Sequence, residues 1–140
     1  MHVENSLVLT HGAVMAMLQA AIARADEIGQ PQCIVIVDAS GVTLGQIRMS
    51  GAKYLGLKSA EAKARTAASI RVPSDAIPEA VGPAIAAATG NAVTRLGGGL
   101  PIIVDDICVG GIGVGSGTAE QDKDVANAAL NEIGGRIYIT

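Results

Sequence analysis

The chain is 140 residues long, carries a formal charge of −3 and is 49% hydrophobic, yet it has no Trp or Phe and only two Tyr. Its length points to one domain, residues 1 to 140, large enough to bury a real core. A weakly acidic chain without a basic cluster or stacking aromatics excludes a nucleic-acid binder. No stretch reaches the roughly 18 consecutive apolar residues of a membrane helix.

The opening MHVENSLVLT shows no basic segment followed by an apolar one, so the expected location is the cytoplasm. Thr10 or Asn5 is placed to cap a helix that runs to Glu27-Ile28 and stops at Gly29, with Pro31 beyond. Its apolar stripe is Val14, Met17, Leu18, Ala21, Ala25 and Ile28. His11 stands in the first turn. CIVIVDASGVTLGQIRM then reads as a hairpin, with strands of about Cys33 to Asp38 and Val42 to Met49 around an Asp38-Ala39-Ser40-Gly41 turn.

A second helix of about Leu57 to Ile70 presents Ala60, Ala64, Ala67 and Ala68 as a small-residue face, which lets it lie close on a sheet. Lys58, Glu61, Lys63 and Arg65 are expected mostly on its solvent side, and Val72-Pro73 ends it. Residues 74–90 read as a looser excursion with a short helix from Pro83 to Ala88. The stretch GGGLPIIVDDICVGGIGVGSG, Gly97 to Gly117, is a second hairpin, with strands of about Ile102 to Asp105 and Ile107 to Ser116. Its glycines predict a strand approached closely by other backbone or by a ligand.

Thr118 and Gln121 have capping-box spacing for a last helix that buries Val125, Ala129 and Ile133 and ends at Gly134-Gly135. Ile137 to Thr140 is expected to add an edge strand. The order helix, hairpin, helix, hairpin, helix predicts an α/β (α+β) domain with a mostly antiparallel sheet and helices on its faces. The apolar excess, carried by Ala, Ile and Val in short pieces, predicts surface buried between subunits, and so a homo-oligomer. Cys33 and Cys108 lie in separate apolar runs and read as buried free thiols, and no Cys/His cluster has zinc spacing.

The ordered set VIVDASG, RMSGA, SAEAKARTAAS, GGGLPIIVDD, VGGIGVGSG and EQDKDVANAAL resembles the GlcG/HbpS family over about residues 10 to 134. That family includes haem-binding uptake proteins and the C-terminal domain of some PduO-type cobalamin adenosyltransferases. The resemblance implies a profilin-like, three-layer α/β/α domain with a five-stranded antiparallel sheet, homo-oligomers, and haem binding or handling. Two positions depart from the family pattern. Ser50 stands where an acidic residue is usual, and Asp105-Asp106 replaces an Asp-Gly turn.

Three chemistries are open to such a chain. Haem needs an apolar slot, an axial ligand and cations for its propionates. His11 is a better axial candidate than the terminal His2, and Arg48, Lys53, Lys63 or Arg71 could meet carboxylates. A small anion is the second, at Gly98-Gly99 or where Gly115-Ser116-Gly117 runs into the helix after Thr118, with Arg48 and Lys63 as counter-charges. The third is acid–base work by Asp38, Asp105, Glu120, Asp122 or Asp124 on a small organic acid of a catabolic pathway. No nucleophile elbow is present. The expected partner is therefore a small anionic or planar ligand, with a ligand-free structural oligomer as the remaining alternative.

Overall fold

In the computed structural model, which describes residues 2–139, four strands form one antiparallel sheet between two helical layers. In chain order the elements are α1 (His11–Ile28), β1 (Cys33–Asp38), β2 (Thr43–Arg48), α2 (Tyr54–Ile70), two short 3-10 turns, α3 (Gly82–Ala88), β3 (Gly99–Val104), β4 (Ile107–Gly115) and α4 (Ala119–Glu132). The strand order is β2-β1-β4-β3, so the second hairpin inserts its long strand beside β1. The helix limits follow their local chemistry. Thr10 accepts the Ala13 N–H, Gly29 closes α1 at φ 69°, and Thr118 with Gln121 forms the full capping box of α4.

Alternation along the strands sends two apolar sets to opposite faces. Ile34, Ile36, Leu100, Ile102, Ile112 and Val114 pack under α1 and α4. Cys33, Val35 and Val37 pack under the alanines of α2. On that second face β4 presents Gly111, Gly113 and Gly115. A Cβ on Gly111 would overlap the carbonyl oxygen of Ala64, one on Gly113 that of Ala60, and one on Gly115 that of Gly56. Two strand residues advance about 6.8 Å and four helix residues about 6 Å, so the two repeats stay in step. Helix α2 therefore rests on the backbone of the sheet.

The expected fifth strand does not form among the described residues. Gly134 turns the chain at φ 70°, and the Arg136 N–H donates to the Ile103 carbonyl of β3 at 3.0 Å. Asn127 of α4 then takes the next backbone pair. Its Nδ2 donates to the Tyr138 carbonyl at 2.8 Å, and the Tyr138 N–H donates to its Oδ1 at 2.9 Å. The side-chain amide holds the groups a neighbouring strand would need, so the segment docks on α4 and the sheet keeps four strands. Thr140 lies outside the described residues.

Candidate ligand-binding groove

The structure gathers Arg48, Lys63, Gly98, Gly99, Gly115, Ser116 and Gly117 at one end of the sheet, while Asp38 and Arg71 lie at the other. Arg48 pairs with Cys33 and Cys33 with Gly115, while Gly99 pairs with Gly113 and the Gly98 carbonyl accepts the Val114 N–H. Ser116 and Gly117 follow directly. His11 is at the other end. Val14, one turn after it, packs on Gly45 of β2, and α1 needs its full length, about 27 Å, before Gln30 reaches the Ser116 carbonyl.

Lys63 is the main correction within this group. Expected on the solvent side of α2, it is buried, and its ammonium donates to the Val114 carbonyl at 2.7 Å and to Asp122 Oδ2 at 2.9 Å. Asp122, read as an ordinary first-turn acid, is the buried partner, and its Oδ1 accepts the Gly117 N–H at 3.1 Å. Burial pushes the Asp122 carboxyl up, and the Lys63 ammonium and the Gly117 N–H draw it part of the way back. Gln32, fully buried beside Gly117, has no partner for either amide atom among the described residues.

The N-terminus of α4 is thus met by the chain's own oxygens. The Thr118 N–H donates to Gln121 Oε1 at 2.9 Å and the Gln121 N–H to Thr118 Oγ1 at 3.2 Å. Ser116, at φ 89°, accepts the Lys53 N–H at 2.9 Å and ties β4 to the start of α2. Of the two counter-charges, Lys63 is enclosed, and exposed Arg48 donates to the Ala52 carbonyl at 3.1 Å. This end of the sheet works as a lock between layers.

Besides Asp122, two of the candidate acids have structural partners. Asp38 Oδ1 accepts the Ser40 and Val42 N–H groups of the hairpin turn, and Asp124 pairs with Arg24 at 2.9 Å. Cys33 is fully buried, and burial pushes its thiol up, which keeps it protonated and unreactive. Among the described residues no group of three or more His, Cys, Asp or Glu is placed to hold a metal ion.

The opposite end carries an open groove of about 810 Å³. The segment from Glu4 to Leu9 straps one side, and the Asp38–Ser40 turn, Arg71 and the start of β4 form the other. Two β-bulges shape it. The β1–β2 register passes from Ile36↔Gly45 to Val37↔Thr43 and skips Leu44. The β3–β4 register passes from Ile102↔Gly110 to Ile103↔Cys108 and skips Val109. Both skipped residues line the groove. A bulge re-aims its side chain, and here two of them turn apolar groups toward one cleft.

Arg71 also lines this groove, and it closes α2 in the left-handed conformation, φ 62° and ψ 24°. Glycine is usual at that position, and a side chain there costs on the order of 1–2 kcal/mol. The sequence reading named Arg71 as a carboxylate partner but gave no weight to the strap or the bulges. The apolar run Leu7-Val8-Leu9 ahead of the Thr10 cap was the available signal for the strap.

A family model described as "Haem degrading protein HbpS-like" matches residues 9–131. The chain belongs to the HbpS-like family. It is 36% identical to an uncharacterized 15.0 kDa protein of the dhaT-dhaS intergenic region of Citrobacter freundii, covering 88% of this chain and 90% of that one. It is 31% identical to the corrinoid adenosyltransferase PduO of the same organism, covering 96% of this chain but only 42% of PduO. This HbpS-like chain thus spans less than half of that longer relative. Among solved structures, a PduOC:heme complex superposes with a TM-score of 0.87 at 28% identity, covering 95% of this chain and all of that one.

Proposed function

We propose that this HbpS-like chain binds haem or a related tetrapyrrole in the groove at the bulged end of its sheet. The observation that carries the reading is the groove itself, where Leu7, Val8 and Leu9 of the strap face Leu44, Ile107 and Val109 across about 810 Å³. A volume and lining of this kind suit a largely apolar small molecule. The haem complex of the PduOC relative supports the choice of ligand. The residues present fit the group. The strap supplies an apolar face, Arg71 a cation, and Cys108 a donor atom in the wall. His2 and His11 flank the strap in sequence, and His11 is proposed as the axial residue. Bound haem would supply a redox-active iron. The protein's part is to exclude water from the ring and to hold its charged edge.

The test is a haemin titration of the purified protein. We expect a saturable Soret shift that His11→Ala displaces or weakens. A wild-type spectrum unchanged beyond that of free haemin would overturn the reading. The same reading includes a homo-oligomer. It is supported by the exposed Ile47 on the open edge of β2, by Val42 just before that strand and by Leu55, 73% exposed, at the start of α2.

A further inference from the structure

The large groove does not end at Arg71. A second cleft of about 400 Å³ shares Arg71, Ile107 and Cys108 with it and is completed by Ile103, Asp106 and Arg136. We infer that the two clefts form one amphipathic site, in which the large groove takes the apolar body of a ligand and the small cleft takes its carboxylate, held by Arg71 at the seam. This rests on the reading above that the large groove binds a tetrapyrrole-like ligand, and it fixes which end of that ligand goes where.

The charges decide the orientation. The large groove holds Glu4 and Asp38 beside Arg71, so an anion placed there meets more acid than base. The small cleft holds Arg71 and Arg136 against Asp106 alone. Arg136 already donates to Asp106 at 2.9 Å, but those side chains are 50% and 92% exposed, and such a pair exchanges readily with an incoming carboxylate. Arg71 has no salt bridge or side-chain hydrogen bond among the described residues, although other arginines of this chain are paired. A planar guanidinium offers a carboxylate two parallel hydrogen bonds.

The backbone at Arg71 makes the proposal testable without damaging the fold. The left-handed cap favours glycine, so Arg71→Gly relieves strain while removing the cation. If Arg71 only finishes α2, this variant keeps all binding. If it holds a carboxylate, binding suffers in a protein that is at least as stable.

Haemin, haemin dimethyl ester (its carboxylates blocked) and the apolar anion anilinonaphthalene sulfonate would be titrated into wild type and Arg71→Gly, with melting temperatures alongside. We expect wild type to prefer haemin over its ester, Arg71→Gly to bind haemin about tenfold more weakly, and the variant to treat the two alike. Equal haemin affinity and an unchanged preference in Arg71→Gly would overturn the assignment while leaving haem binding intact. Sulfonate binding that weakens in Arg71→Gly, with no haemin binding to wild type, would uphold the anion seat and overturn the tetrapyrrole reading. No binding of any of the three would overturn both.

Discussion

Replacing Lys63 by Met leaves the Asp122 carboxylate buried without its cation, and breaking such a pair costs about 3–5 kcal/mol at neutral pH. Urea unfolding of Lys63→Met should show that loss, and adding Asp122→Leu to Lys63→Met should recover most of it. The pH dependence follows from the same burial. The folded carboxyl is raised above its usual value near 3.8, so the folded chain holds that proton more tightly than the unfolded one. Its contribution is complete below that value and declines as the pH climbs through the raised one. Wild type should therefore gain stability relative to Asp122→Asn as the pH is lowered from neutral toward about 4. In the sequence, Lys63 and Asp122 each had an ordinary place, one on a helix's polar side and the other in a first turn. Nothing local marks a pair that meets across two layers, and only the placement of α2 over β4 brings the ammonium to the Val114 carbonyl.

The seating of α2 on β4 predicts opposite outcomes for two glycines. Gly113→Ala would drive a methyl into the Ala60 carbonyl, a backbone atom that no rotamer change can move, and it should cost at least about 3 kcal/mol or block folding. Gly12→Ala, on the exposed first turn of α1 with room around it, should gain about 0.5–1 kcal/mol. Thermal unfolding distinguishes them directly. Much of this scale was legible in the chain. Thr10, Gly29 and the Thr118–Gln121 pair mark helix ends by chemistry that acts within one turn, and the glycine alternation of β4 already pointed to close packing. Strand limits were less legible. Strand β3 begins at Gly99 rather than Ile102, because its glycine is needed where the strand passes the Lys63 carbonyl. The bulges at Leu44 and Val109 are invisible locally, since a skipped residue is defined only by its partner strand. The tail from Ile137 has the β-branched pattern of a strand, and it was lost to one Asn127 side chain.

For the whole molecule, the two edges of the sheet differ. The β3 edge carries Pro101 and is met by the Arg136 N–H, whereas the β2 edge has neither proline nor lysine and shows apolar side chains to solvent. If copies associate through β2, Ile47→Lys should shift the sedimentation coefficient to a smaller species with an unchanged circular dichroism spectrum. An unaltered assembly would place the contact elsewhere. The family was legible because several short motifs recur in a fixed order. The groove was not, because it is assembled from a strap, two bulges and a helix end that lie far apart in the chain. The polar lock and the groove therefore flank the same helix, α2, which starts at the Lys53–Ser116 contact and ends at the Arg71 cap. Because its own carbonyls rest directly on the glycines of β4, α2 has no slack to tilt or creep along that strand. It can shift only by a whole glycine step or lift off, so this layer should behave as a switch with two positions, seated or released, and never as a spring.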